Sequence, residues 1–210
     1  MNTAIILAGG FSERLGQDKG LVRMAGDPLV LYVLRKAREA VEEVIVVVSS
    51  SGQREAYSSL LPNWTRILVD IKDSQSPLVG ALTGFADARG DYSILLPCDT
   101  PFISGEVIRL LFETSQGMDA TIPRWPNGYV EPLQAVYRTG SALKAAEEAV
   151  KKGETRMMSM ISLLRRVRYL STEAIKEIDP GLITFLNVNT QMDLRKAEEL
   201  IKQKVDGPEI

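Results

Sequence analysis

Short apolar runs rich in β-branched residues recur along the chain at residues 3–7, 44–48, 67–69, 93–96 and 120–122, each closed by glycine, serine or proline. Between them the apolar positions switch to a helical period. After Pro28, Val30, Val33, Leu34, Ala37 and Val41 share one helical face, while Arg35, Lys36 and Arg38 fall elsewhere. Ser104 before Glu106 predicts another helix start, and Thr190-Gln191-Met192-Asp193 reads as a capping box opening a last helix with Leu194, Ala197 and Ile201 inward. Lys144 to Lys152 reads as the solvated face of a helix, and Met157, Met158 and Met160 as packing. Strands that are apolar throughout suit a parallel sheet covered on both faces. The expected fold is therefore α/β, a doubly wound, mostly parallel sheet with helices on both faces. Residues 130–137 and 167–170 should add strands, at least one of them antiparallel. The tail Asp206-Gly207-Pro208 should fray.

Composition narrows the chemistry. With 210 residues, 45% hydrophobic and 25% charged, the chain can bury a sizeable core, and no repeat or linker divides it, so residues 1–210 are expected to form one domain. The formal net charge of −2 argues against nucleic acid or a membrane recognised through bulk charge. The single Cys98 excludes an internal disulfide, and the absence of histidine removes Ser-His and Cys-His nucleophilic schemes. What remains is carboxylate, lysine, arginine, backbone amides and hard cations. No apolar run reaches the roughly 18 residues of a spanning helix, and the first apolar run lacks the basic flank of a secretory leader. The expected location is cytoplasmic.

Three motifs sit where strands should end, the place where open α/β sheets bind ligands. In Leu7-Ala8-Gly9-Gly10 the paired glycines allow a sharp turn and close approach of phosphate to amides, and Arg14 and Lys19 add a planar fork and a point charge. A tight turn with solvated charges is the competing reading. Neither the P-loop spacing nor a third dinucleotide-type glycine is present. In Pro97-Cys98-Asp99-Thr100-Pro101, prolines fence an aspartate placed to hold Mg²⁺ shared with substrate phosphates; a turn aspartate is the alternative. Cys98 reads as a buried filler rather than a nucleophile. Asp70 closes the third strand, with Asp73 a weaker second carboxylate, and Ser76-Pro77-Leu78-Val79-Gly80 should open a helix that adds amides to the same crevice. Asn187 and Asn189 should finish a strand with both side chains on one face, as ligand contacts or as turn and cap residues.

Taken together, Leu7-Ala8-Gly9-Gly10, Arg14-x-Gly16-x-Asp18-Lys19, Asp70, Pro77-Leu78-x-Gly80, Pro97-Cys98-Asp99-Thr100-Pro101, Glu131-Pro132-Leu133 and Asn187-Val188-Asn189-Thr190 resemble, in order and over nearly the whole chain, the molybdenum cofactor guanylyltransferases, nucleotidyltransferases of Rossmann-like fold. The resemblance implies transfer of GMP from GTP to the terminal phosphate of molybdopterin with release of pyrophosphate. It implies nucleotide contacts at Leu7, Ala8, Gly9, Lys19, Asp70 and Asp99, with Mg²⁺ as cofactor on Asp99; Gly10, Ser49 and Gly80 join them as candidate nucleotide contacts. Arg14, Lys19 and Asp99 are then the catalytic set, and Glu131, Asn187, Asn189 and Arg156 the candidates for the pterin. The substrates implied are GTP and molybdopterin, with molybdoenzymes or other cofactor-biosynthesis proteins as further partners. Ser49 departs from the family, which usually carries asparagine there, and Glu13 stands where a second arginine is common. The acceptor phosphate is already an anion near neutral pH, so the lack of histidine fits this reaction. The alternatives are a molybdopterin cytidylyltransferase, a cobinamide-phosphate guanylyltransferase, or a nucleotide-binding carrier without turnover.

Overall fold

The computed structural model describes residues 1–12, 14–70 and 76–206. Seven strands form one sheet: β1 (Asn2–Leu7), β2 (Glu43–Val48), β3 (Arg66–Val69), β4 (Tyr92–Pro97), β5 (Ala120–Arg124), β6 (Ala135–Arg138) and β7 (Val167–Ser171). Their spatial order is β7-β5-β6-β4-β1-β2-β3. Among the described strands of this sheet, only β6 runs against its neighbours, pairing antiparallel with both β4 and β5. The apolar runs read from the sequence are thus strands, the antiparallel member included. In the 130–137 segment the strand begins only at Ala135, and Val130 makes an isolated bridge to Arg124.

Helices cover both faces because alternate strand positions are apolar in both directions. Ala4, Ile6, Val44, Val46, Ile94 and Leu96 face α1 (Leu29–Arg38) and α4 (Gly105–Thr114). Ile5, Ile45, Val47 and Leu95 face α3 (Pro77–Asp87) and α5 (Thr139–Lys151). On α1 the buried residues are Leu29, Val30, Val33, Leu34 and Ala37, which is the stripe the spacing predicts. Ser104 caps α4 through the Val107 amide. Asp193 and Thr190 exchange bonds at the start of α8 (Gln191–Asp206), as a capping box requires. Gly207 and Pro208 lie outside the described residues.

Chain order around β1 creates the crevice. From β1 the connection runs to β2 and β3 on one side, then returns across to β4 on the other, so β1 and β4 flank the point where winding reverses. Loops leaving the carboxyl ends of these two strands diverge there and leave a cleft between them. The helix covering the cleft's lower wall must approach closely. A Cβ on Gly84 of α3 would meet Ile5 Cγ2 within contact distance and lie 3.1 Å from Ile5 Cδ1.

Gly84→Val is therefore expected to cost about 1–3 kcal/mol by overpacking, more than the few tenths by which valine exceeds glycine in helix propensity. Urea denaturation measures this, and an unchanged midpoint would show that α3 does not press on β1 here.

Candidate functional site

The crevice holds a cavity of about 590 Å³. Its floor is built from the three strand-end motifs, and each is positioned by a local device. After β1, the carbonyl of Gly10 accepts from the Lys19 amide at 3.1 Å, closing a small ribbon in which residues 11–12 pair with 17–18. The Gly9 carbonyl accepts from the Ser49 hydroxyl at 2.8 Å. With both carbonyls engaged, the amides of Gly9 and Gly10 donate to no partner among the described residues, and both glycines line the cavity. This is the orientation an anion cradle needs. A Cβ on Gly9 would sit 3.1 Å from both Ser49 Cβ and Ser49 N, so any larger residue here would have to push the loop away from the end of β2.

Lys19 is held over the cavity by Asp18. One Asp18 oxygen accepts from the Gly20 amide at 3.0 Å and from the Tyr57 hydroxyl at 2.7 Å, while the other accepts from Gln53 Nε2. Tyr57 is buried, and burial, with Cys98 and Asp18 nearby, pushes its hydroxyl far above its ordinary value, so it stays a donor to Asp18. Gln53 and Tyr57 on α2 (Ser51–Ser58) are supports that sequence reasoning missed; polar residues on an otherwise solvated helix carried the only signal. From this anchored turn, Lys19 Nζ reaches Asp99 Oδ2 at 3.0 Å and Asn189 Oδ1 at 2.7 Å. The ammonium thus bridges residues 80 and 170 positions away.

Asp99 follows β4 in a turn closed by the Thr100 hydroxyl, which donates to the Pro97 carbonyl at 3.0 Å. The Val188 amide donates to the Asp99 carbonyl at 2.8 Å, tying the carboxyl-terminal segment to the same turn. That segment corrects one expectation. Asn187 and Asn189 do not finish a strand; they follow a 3₁₀ turn at Ile183–Phe185 in a stretch that belongs to no strand. The register that brings them in is the single Val188–Asp99 bond, and both asparagines still line the cavity. The Cys98 thiol is fully buried, and desolvation raises its pKa well above normal, which suits a filler and not a nucleophile.

At the other end of the cavity stand Asp70, Gly80 and Ser49. Asp70 follows β3, its amide donating to the Val48 carbonyl at 2.8 Å. Its Oδ1 is buried without a hydrogen-bond partner among the described residues. Burial raises the carboxyl to about 6, and the Thr83 hydroxyl offsets this only partly. Helix α3 contributes less than expected to the anion site: Pro77 has no N–H, and the Val79 and Gly80 amides donate to the Ser76 carbonyl, Val79 also to the Ser76 hydroxyl. Leu7 and Glu131 line the cavity as well. Ala8 does not; it is fully buried, its amide donating to Val47. Arg14 lies exposed in the ribbon's turn and Arg156 exposed before α6 (Met157–Ile161), both outside the cavity lining. Glu13 and Asp73 fall outside the described residues.

Free backbone amides, a lysine and a strand-end carboxylate meet at the winding reversal of a mostly parallel sheet, where open α/β proteins bind their ligands. Residues 4–168 match the family model described as MobA-like NTP transferase domain. A Methanosarcina mazei protein called a probable molybdenum cofactor guanylyltransferase is 33% identical over 208 residues, covering 97% of this chain and 92% of that protein. A Pyrococcus furiosus protein of the same description is 34% identical, with 94% and 97% covered. The crystal structure of molybdopterin-guanine dinucleotide biosynthesis protein A from Archaeoglobus fulgidus superposes with a TM-score of 0.83 at 29% identity, covering 97% of this chain and 100% of that one. The chain belongs to the MobA-like nucleoside-triphosphate transferase family and is a nucleotidyltransferase.

Asp70 yields a test independent of ligand. Burial raises the folded carboxyl to about 6, above the ordinary aspartate range it has in the unfolded chain, so this group's contribution to stability is full below that ordinary range and lost as pH rises through 6. Asp70→Asn should therefore melt above wild type at pH 7.5, with the gap shrinking as pH falls from 6 toward 4. Equal melting temperatures at every pH would place Asp70 in water.

Proposed function

We propose that the protein transfers GMP from GTP to the terminal phosphate of molybdopterin. An acceptor phosphate oxygen bonds to the α-phosphorus, the bond from that phosphorus to the bridging oxygen of the β-phosphate breaks, and pyrophosphate leaves. The observation that carries this reading is Lys19 Nζ poised between Asp99 and Asn189 beside unengaged glycine amides. The names of the relatives supply the base and the acceptor.

In this reading the Gly9 and Gly10 amides and Lys19 take the triphosphate, and Arg14 reaches the phosphates from the ribbon turn as they enter. Asp70 accepts from the guanine ring N–H and amino group, which a half-buried carboxylate with an unpartnered Oδ1 suits. Ser49 acts indirectly: its hydroxyl and amide, bonded to Gly9 and Gln53, brace the loop in place of the base contact an asparagine could make. No side chain need remove a proton, since the attacking phosphate is already ionised. The contribution of the protein is alignment and charge neutralisation in a partly closed site.

A magnesium ion fits the donor set. Asp99 commits Oδ2 to Lys19, and its Oδ1 has no hydrogen-bond partner among the described residues. No cluster of three acidic, cysteine or histidine side chains occurs among the described residues. One carboxylate with neighbouring amides suits an ion that keeps several waters and is shared with phosphates. Asp99 would hold it, with Asn187 and Asn189 near its waters; when bound it would neutralise charge on the phosphates. No helix among the described residues is long and apolar enough to cross a membrane, and the proposed location is cytoplasmic.

Asp99→Asn and Lys19→Gln should each lower molybdopterin-dependent pyrophosphate release about 10²- to 10³-fold, with circular dichroism unchanged. Calorimetry should show GTP binding in preference to CTP. Pyrophosphate release independent of added molybdopterin, or normal turnover in Asp99→Asn, would overturn the assignment.

A further inference from the structure

The cavity has a second wall, which carries Tyr129 and Glu131. Between β5 and β6 the chain turns back on itself: the Gly128 amide donates to the Trp125 carbonyl at 2.9 Å, the Trp125 amide to the Tyr129 carbonyl at 2.8 Å, and the Tyr129 amide to Asn127 Oδ1 at 3.0 Å. This fixed turn places Tyr129 at the cavity rim with 63% of its surface exposed. It is the only exposed large apolar residue, among those described, that lines the cavity. Two positions on, Glu131 Oε1 accepts from Trp125 Nε1 at 2.7 Å, and the indole is itself wedged edge-on against Phe185 with ring centres 5.5 Å apart. The carboxylate is thus aimed by a rigid donor. No cation pairs with it among the described residues, and burial holds its pKa above the usual range, the Trp125 bond offsetting this only in part.

Position decides what Glu131 is for. Lys19 and Asp99 mark the phosphate centre, at the ends of the β1 and β4 loops. Asp70 follows β3, three strands from β4, about 14 Å away at sheet spacing. Glu131 lies on the opposite flank, between β5 and β6. A nucleoside triphosphate with its base at Asp70 and its phosphates at Lys19 leaves the Glu131 flank to the acceptor. Both substrates of the proposed reaction carry the same edge, a ring N–H beside an exocyclic amine, in guanine and in a 2-amino-4-oxopteridine. A carboxylate can accept both hydrogens in parallel.

We infer that Tyr129 and Glu131 recognise the acceptor: the Glu131 carboxylate takes the ring N–H and amino group of the pterin, and the Tyr129 ring packs against its face. The inference rests on the guanylyl-transfer reading and divides two similar ring edges between two carboxylates, Asp70 for the nucleotide and Glu131 for the pterin. Tyr129 supplies flat contact at small entropic cost because only two side-chain torsions must be fixed.

The test uses the full chain and two fluorescent probes, 6-hydroxymethylpterin and its 2,4-dioxo counterpart 6-hydroxymethyllumazine, with GTP affinity measured in parallel. Wild type should bind the pterin at least ten-fold more tightly than the lumazine. Glu131→Gln keeps the size and the Trp125 bond, and should remove that preference by weakening the pterin at least ten-fold. Tyr129→Leu should weaken both probes equally. Neither change should move the GTP Kd by more than two-fold, and both should raise the KM for molybdopterin. Loss of GTP affinity in Glu131→Gln would assign Glu131 to the nucleotide, and an unchanged molybdopterin KM in both variants would remove the wall from acceptor recognition. Failure of wild type to bind GTP would instead sink the guanylyl-transfer reading itself.

Discussion

The contact on which this site depends is Lys19 Nζ lying 3.0 Å from Asp99 and 2.7 Å from Asn189. Three loops that share no sequence neighbourhood meet at one ammonium group. Asp99 is nearly enclosed, and a carboxylate that buried must have a cation or several donors close by. Lys19 keeps enough exposure to exchange that carboxylate for phosphate oxygens as they arrive. A compact, flexible charge can move between such partners, whereas the rigid fork of an arginine would be held by geometry to one of them.

Around this contact the fold supplies stiffness where chemistry needs it. Asp18, Gln53 and Tyr57 hold the turn that launches Lys19, and Ser49 holds the Gly9 carbonyl so that the neighbouring amides point outward. The Val188–Asp99 backbone bond draws in the carboxyl-terminal segment. The family match ends at residue 168, yet Asn187 and Asn189 lie beyond it and complete the wall. The residues that support the site are as much part of its design as those that face the ligand.

The cavity is organised as a line. Carboxylates stand at both flanks, and the amide-lined floor with Lys19 lies between them. The same strand order separates Asp70 from Glu131 and so keeps two half-buried carboxyl groups apart.

Much of this was legible in the chain. Apolar runs of strand length, the α1 stripe, the Thr190–Asp193 cap and the glycine pair each arise from interactions among near neighbours, which local spacing records. Asp70, Asp99 and Gly9 could be placed at strand ends for the same reason. Spacing does not record which strand ends lie side by side. The meeting of Lys19 with Asp99 and Asn189, the exposure of Arg14 beyond the cavity, the course of Asn187 and Asn189 outside any strand, and the support from Tyr57 follow from strand order and from single long-range hydrogen bonds. The sequence determined the elements and the chemistry available; the tertiary structure decided which groups touch, because contact across 80 or 170 residues is set by how the sheet is wound and not by any local period.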